Sequence, residues 1–469
     1  MSMQSFRTSP TMDPASAARP LTEGPAHHFF GFHDLKVTDN TGASFIALEV
    51  DHINRPPLGG LEARVVIGTV APEPRPLRTI GTTTCFNFPQ GARQQWLGRS
   101  SSVIFNALSA DGDASSLIVD AATGDEVARI GSSVYCTDRT GERGFTIDFG
   151  RLHRLGGYGH PVVKECSPRA AVPDDNGVFS VDLLTGERTL VIGIGELARL
   201  AGFKAQPGIH HFITHLRLNP AEDRLAFLYR FRLPDGGEDT SLWTVGLDGS
   251  NPRLLTRGFN SHYDWIEDNR LLIWGRPASR LAAARTGTLA SLGILKPLVR
   301  LLKAPARAIL GKTTGNVMSF LTISDDEESS PARFAVGTLT TDGHPMLNPV
   351  WSDWIALDTY PLETGDRELM LLHVPTAKRV ELGRYPLLTE EADSGVVAEV
   401  EEAIREQLSV NFDAEQYAFT RSGLHCDLHP RWDAPGANVV FDSIHEGTRQ
   451  IYCVEVEGLL REEINTRDA

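Results

Sequence analysis

The sequence predicts an all-β chain: a seven-bladed β-propeller with short helical insertions. Two observations predict it. Seven β-branched and aromatic runs of similar length recur: Phe45–Val50, Val103–Asn106, Phe145–Phe149, Leu225–Tyr229, Leu271–Trp274, Trp354–Asp358 and Val439–Asp442. Turn-forming residues punctuate them. Asp39–Gly42, Thr140–Glu142, Asn219–Asp223, Glu267–Asn269 and Ala434–Asn438 precede five of the runs. Further strand-like runs follow, each leading into a second turn. Ser116–Asp120 leads to Thr123-Gly124, Val178–Asp182 to Thr185-Gly186, Leu242–Val245 to Asp248-Gly249, and Leu369–His373 to Thr376–Lys378. A strand–turn–strand unit of this kind cannot bury both sheet faces alone, so its copies must stack in a ring. Two β-sandwiches are the competing reading of the same short strands.

The propeller is expected over 27–460. Residues 1–26, rich in Ser, Thr, Pro and Ala, read as a disordered tail, and 461–469 as a short C-terminal one. The first segment lacks the apolar stretch of a secretion signal, which makes a cytoplasmic location the expectation. Irregular spacing marks insertions at 195–209, 276–316 and 390–422. The first contains a short helical piece, Gly195–Gly202. The third contains a helical pattern between Glu390 and Leu408, with Val397, Val400, Ile404 and Leu408 three or four apart. The second carries eight Lys or Arg residues and no acidic one, interleaved with leucines and broken by Gly287, Gly293, Pro297 and Pro305. It reads either as a plain surface insertion or as a peripheral contact with the inner face of a membrane.

Composition narrows the function. Hydrophobic residues make up 41% of 469, enough for a large core, and the net charge of −15 excludes a general nucleic-acid binder. No apolar run of spanning length is free of charge. Five cysteines without a CxxC pair read as reduced thiols.

Chemistry is expected on the strands that open the blades and line the channel. His425-Cys426-Asp427-Leu428-His429-Pro430 is the clearest case. In an extended strand, His425, Asp427 and His429 leave one face, and Cys426 and Leu428 the other. His33-Asp34, Arg151–Tyr158, His210–His215, Ser261–Asp264 and Asp342–His344 occupy the same phase of other blades. Alternation pairs His211 with His215, and His262 with Asp264. His33 with Asp34 reads as a blade-tying pair. Adjacent imidazoles are costly to bury unless metal-bound or hydrogen-bonded. The set His262, His344, His425, Asp427 and His429 therefore reads as a site for a divalent transition metal such as Mn, Fe or Zn, with Mn or Zn preferred. Arg93, Arg151, Arg154, Arg217 and Arg431 are candidates to grip a substrate carboxylate through bidentate bonds.

His262, the His429-Pro430 turn running into Val439–Ser443, and Glu446-Gly447 with Gln450–Tyr452 together resemble the oligogalacturonate lyase type of seven-bladed propeller. The chain also resembles propellers found with polysaccharide-building enzymes. The lyase resemblance implies a metal held by histidines of two blades and a histidine that removes a proton. The latter falls on His215 or His211, and the blade-five ligand on His262. The family's last-blade histidine pair falls on Asp427 and His429, so one ligand is a carboxylate here. Leu424 stands at the family's nearby glutamine position.

The reading that follows is a metal-assisted lyase acting by β-elimination on an acidic, uronic-acid-containing oligosaccharide or polysaccharide. His215 or His211 is its base, Tyr263 (or Tyr158) its proton donor, and Arg154 a charge-stabilising group. A non-catalytic propeller that binds glycan or protein partners is one alternative. A glycoside hydrolase using two of Asp34, Asp264, Asp358 and Asp427 is another.

Overall fold

The computed structural model describes residues 18–203, 206, 208–232, 238–277, 318–326, 330–387, 394–408 and 413–465. Strands dominate, and all pair antiparallel. The first sheet contains β2 (His27–Phe29), β3 (Ser44–Val50), β4 (Ala63–Thr69) and β5 (Arg78–Thr83). The second contains β6 (Gln95–Trp96), β7 (Ser102–Leu108), β8 (Ala114–Asp120) and β9 (Glu126–Ile130). The third contains β10 (Cys136–Thr137), β11 (Arg143–Thr146), β12 (Gly177–Asp182) and β13 (Arg188–Gly193).

A seven-stranded sheet follows: β14 (His211–Leu218), β15 (Arg224–Arg232), β16 (Glu238–Gly246), β17 (Arg253–Glu267), β18 (Arg270–Pro277), β19 (Ser319–Ser324) and β20 (Ala332–Arg333). Its long strand β17 serves both halves. Residues 253–258 pair with β16, and residues 258–267 pair with β18. The next sheet contains β21 (Met346–Leu347), β22 (Trp354–Asp358), β23 (Asp366–His373) and β24 (Lys378–Pro386). The last contains β25 (Arg431–Trp432), β26 (Asn438–Ser443) and β27 (Gln450–Glu455), completed by β1 (Arg19–Pro20) from the other end of the chain.

The runs expected to be strands are buried on both faces, and alternate residues feed different cores. In β3, Phe45 and Ala47 join one cluster with Val440 and Ile451, while Ile46, Leu48 and Val50 join another with Phe86 and Phe105. In β22, Trp354 and Ala356 pack toward Phe441, whereas Ile355 and Leu357 pack toward Trp274. Period-two alternation thus places each sheet between two neighbours.

Polar ties join successive inner strands. Three tryptophans repeat one device, each donating its indole Nε1–H to a carbonyl of the preceding inner segment. Trp96 reaches Val37 at 3.0 Å, Trp265 reaches Arg217 at 3.2 Å and Trp432 reaches Met346 at 2.9 Å. Arg93 donates to Asp34 through two bonds of 2.9 and 2.8 Å and to the Tyr135 carbonyl at 2.8 Å, linking the first three sheets. The Arg151 Nε donates to the His211 carbonyl at 2.6 Å. Arg217 pairs with Asp264, whose other oxygen accepts from the Leu347 amide. Arg431 donates to the carbonyls of Gly31 and Phe32, which joins the last sheet to the first.

Several expectations change. Arg19 and Pro20, assigned to the tail, pair with Cys453 and Tyr452 of β27, and Leu21 is buried. The last sheet is therefore built from both ends of the chain. Helix α5 (Glu457–Asn465) runs beyond residue 460 and packs Leu460 into the core. Of Arg151–Tyr158, expected in a strand, residues Arg151 to Gly156 belong to helix α1 (Phe149–Gly156) and Tyr158 follows it. The Asp148 carboxylate accepts from the Arg151 amide as an N-cap and Gly157 ends the helix in the left-handed region, so the run beginning at Phe145 turns from strand to helix halfway.

Helix α2 (Ile194–Leu200) falls in the first insertion. Helices α3 (Ser394–Gln407) and α4 (Ala414–Thr420) fall in the third, where Val396 is buried and Val397 only partly so. The basic insertion lies outside the described residues beyond Pro277. Among the described residues, no helix is long and apolar enough to cross a membrane. All five cysteines are free.

Two outcomes follow from this fold. A chain starting at Glu23 should melt well below the full chain in calorimetry. It lacks β1, the buried Leu21, and the Thr22 hydroxyl that donates to Gln450 at 2.7 Å. The second concerns pH. Burial lowers the pKa of His153 to about 4, and of His160 and His211 to about 3. In the unfolded chain these rings take up protons near pH 6.5, so their neutral burial contributes stability that is full above pH 6.5 and lost as pH falls toward the folded values. The melting temperature should fall from pH 6.5 to 4.5. His160→Phe should make that slope shallower, because a benzene ring can keep the 4.2 Å stack on Phe149 without titrating.

Candidate functional site

Gly31 makes the site possible. Its φ is +101°, and a Cβ there would lie 2.5 Å from the Gly91 amide nitrogen, so only glycine allows the chain to turn inward here. That turn drives Phe32 to the centre of the ring. Five imidazoles from different parts of the chain surround it. Its ring centroid lies 4.3 Å from His33, 4.7 Å from His215, 5.3 Å from His429, 6.1 Å from His344 and 6.2 Å from His262. The imidazoles also contact one another, with centroids 4.1 Å apart for His262–His344 and 4.3 Å for His344–His429.

His344, Asp427 and His429 each place a ligand atom within 4.8 Å of the other two. The His429 Nδ1 lies 2.8 Å from the Gly31 carbonyl, which can only accept, so Nδ1 carries the proton and Nε2 keeps its lone pair. The His344 Nδ1 sits 2.8 and 3.0 Å from the two Asp358 oxygens, which likewise leaves Nε2 available. Asp358 also accepts from the amides of His344 and His429, locking both backbones. Outer partners that fix the far nitrogen in this way orient imidazoles toward a metal. The Asp427 carboxylate accepts from Arg367 at 2.7 Å and faces His425 Nε2 at 3.3 Å and His429 Nε2 at 3.9 Å. Two imidazoles and one carboxylate suit a divalent transition metal, so the residues present fit such an ion.

Electrostatics keep most rings neutral. Burial, reinforced by neighbouring imidazoles, holds His33, His215 and His429 well below the ordinary imidazole pKa; at His215 the Arg230 charge adds to it. Burial also lowers His262. At His344 burial acts downward too, but Asp358 outweighs it and the net shift is upward. Burial alone would raise the Asp427 carboxyl, yet His425 and Arg367 together hold it well below the usual range.

The residues expected to form one site divide. His215, His262, His344, Asp427 and His429 meet at the centre. Among the described residues, however, His262 and His425 stand outside the ligand-spaced group. His211 is elsewhere, with its ring stacked 4.4 Å from Phe231 and its Nδ1 against the Tyr229 hydroxyl. The cause is local. The ladder slips between Thr214 and Arg217, and His215 adopts φ +60°, so alternation does not carry from His211 to His215. Residues 425–430 are not in a strand, and β25 begins only at Arg431. Alternation survives there without a ladder, since Cys426 and Leu428 enter two cores while Asp427 lies between His425 and His429.

Tyr263 donates its hydroxyl to the His215 carbonyl, which makes it a support for that histidine's backbone. Arg154 is held by Glu165 and by His210 at 3.2 Å. Arg93, Arg151, Arg217 and Arg431 are committed to internal carboxylates and carbonyls, because each ties sheets together. Asp264 pairs with Arg217 instead of acting beside His262.

The sequence reading missed the central roles of Phe32 and His33, the His262 partner Asp342 at 3.2 Å, and Arg230 and Arg367. Repeat phase already groups His33 with the histidines of the other blades, but the adjacent Asp34 makes it read as a blade tie, whereas Asp34 alone takes that role through Arg93. Arg230 and Arg367 lie on β15 and β23, the second and third strands of their units, and no spacing marks them.

Comparison with solved structures identifies the fold as that of a β-propeller. An oligogalacturonate lyase in complex with manganese matches with a TM-score of 0.55 at 13% identity, over 96% of this chain and 96% of that one. The oligogalacturonate lyase of Vibrio parahaemolyticus matches with a TM-score of 0.55 at 12% identity, over 96% of both chains. No protein-family model matches the sequence, and no curated protein matches it. The chain resembles oligogalacturonate lyase along nearly its whole length, and at these identities the likeness establishes the fold.

The donor geometry gives a direct expectation. Titrating Mn2+ or Zn2+ into metal-free protein should raise its melting temperature. His429→Ala or Asp427→Asn should abolish that shift. Equal stabilisation of all three proteins would place the ion elsewhere.

Proposed function

We propose that the chain is a seven-bladed propeller acting as a metal-assisted lyase on a uronic-acid-containing oligosaccharide or polysaccharide. The blade count takes the seven-stranded sheet as two four-stranded units that share β17. One observation carries the reading: the His344–Asp427–His429 donor group shares its ring of aromatic side chains with a buried, neutral His215. β-Elimination needs a base for the proton beside the carboxylate, positive charge on that carboxylate, and an acid for the leaving oxygen. His215 supplies the base: burial and the nearby Arg230 and His262 keep it uncharged, and its Nδ1 has no partner among the described residues. Tyr263 fixes its position through the backbone. His344, Asp427 and His429 would hold the ion, with His262 beside them; Mn or Zn suits the set. When bound, such a cation supplies Lewis-acid stabilisation of the charge that develops on the uronate carboxylate.

Tyr158 is the better-placed proton donor. Its ring is 6.2 Å from His215, whereas the Tyr263 hydroxyl is used on a carbonyl. The hydrolase alternative loses support, because Asp34, Asp264 and Asp358 are each committed to an internal ion-pair partner.

Assay of the Mn2+-loaded protein on a panel of uronic-acid oligosaccharides should yield an absorbing unsaturated product. His215→Ala should keep the fold and reduce turnover by about 10²–10⁴-fold, the usual worth of a general base. Ion binding with glycan binding but no product from any substrate would make the propeller a binding module. The basic segment 276–316 is proposed as a contact for an anionic membrane face. Sedimentation with anionic liposomes should be lost when 278–315 is removed.

A further inference from the structure

Among the buried guanidiniums around the centre, Arg230 has an unusual set of partners. It lies mid-strand in β15, opposite Phe212 on one side and Thr240 on the other, and only 9% of its surface is exposed. Its Nη1 donates to the Tyr158 hydroxyl at 2.9 Å. Among the described residues, its Nη2 reaches only the Asn260 carbonyl, at the long distance of 3.5 Å, and its Nε is buried without a partner. The nearest carboxylate is Glu238, 3.6 Å from Nη1. Nε and Nη2 form one edge of the guanidinium plane, so the edge that grips a carboxylate side-on with two parallel bonds is the unfilled one.

Arg93, Arg217 and Arg431 are not in this state. Arg93 and Arg217 each spend two nitrogens on a carboxylate. Arg431 is saturated by carbonyls. Arg367 also leaves Nε and Nη1 without a partner among the described residues, but it is wholly buried and its Nη2 holds Asp427. Arg230 also sits beside the reacting centre. The Tyr158 hydroxyl it bonds belongs to a ring 6.2 Å from His215. A half-satisfied buried cation raises the cost of its own desolvation, and a ligand carboxylate would remove that cost.

We propose that Arg230 receives the carboxylate of an acidic sugar through Nε and Nη2, and so selects free uronates over their neutral esters. This rests on the lyase reading above. Tyr158 holds Nη1 and sets the plane of the fork. Glu238, at the longer distance, competes weakly for the same cation.

The test uses the full chain loaded with Mn2+ and titrated calorimetrically with digalacturonate and with its methyl ester. The unaltered protein should prefer the free acid by at least about tenfold, equivalent to about 1.4 kcal/mol. Arg230→Gln should lose that preference with Mn2+ affinity and melting temperature unchanged. Glu238→Gln, at a part-exposed position that the core does not depend on, should bind the acid more tightly while binding the ester as before. An acid preference retained in Arg230→Gln, or the same acid affinity in Glu238→Gln as in the unaltered chain, would overturn the assignment. The lyase reading fails separately: it falls if the unaltered protein gives no unsaturated product, whatever Arg230 does.

Discussion

The fold depends on closing a ring of separately formed sheets. No sheet can be buried by itself, so the inner strands must be fastened edge to edge around an axis. The fastening is polar. Indole donors from Trp96, Trp265 and Trp432 reach carbonyls of the preceding segment, and buried arginines bridge the remaining steps. These bonds are directional, whereas the apolar packing between sheets is not. They therefore fix the rotation of each sheet about the axis. Breaking a buried ion pair such as Arg93–Asp34 strands a charge in a dry interior and costs about 3–5 kcal/mol.

The same constraint builds the site. An arginine spent on fastening cannot also bind substrate, so most guanidiniums near the axis are structural. Arg431 illustrates the overlap: by gripping the Gly31 and Phe32 carbonyls it closes the ring and also holds the turn that drives Phe32 and His33 inward. Around that plug the rings must be desolvated, and desolvation favours the neutral form of His33, His215, His262 and His429, whereas Asp358 draws His344 the other way. Neutral imidazoles are what a metal ligand and a proton-abstracting base both require. Two of the central histidines, His215 and His429, have φ of +60° and +45°. Such backbone is disfavoured for a side-chain-bearing residue and persists where the surroundings over-determine it, as the carbonyl and carboxylate partners do here.

The chain as a whole carries −15, yet its axis concentrates arginines and imidazoles. Internal carboxylates match most of those arginines and most of the rings are neutral, so the positive charge of the axis is largely compensated.

What the sequence determined by itself was the set of strands and their phase. Apolar runs with period-two burial need only local pattern, so β3, β7, β15, β18, β22 and β26 fall where the runs predict. The histidines of the axis were legible for the same reason: five of the repeats carry one near the strand that opens the blade. Tertiary structure decided the rest. The pairing of Arg19–Pro20 with β27 joins residues more than 400 positions apart and leaves no local trace. A one-residue slip at His215 separated it from His211, because a bulge undoes the alternation on which a face assignment relies. Phe149–Gly156 became a helix because Asp148 caps it and Gly157 ends it, although its composition had suited a strand. Which arginine remained open could not be read either, since a guanidinium's partners come from other sheets, and only the closed ring shows that Arg93 and Arg217 are filled while the Nε–Nη2 edge of Arg230 is not.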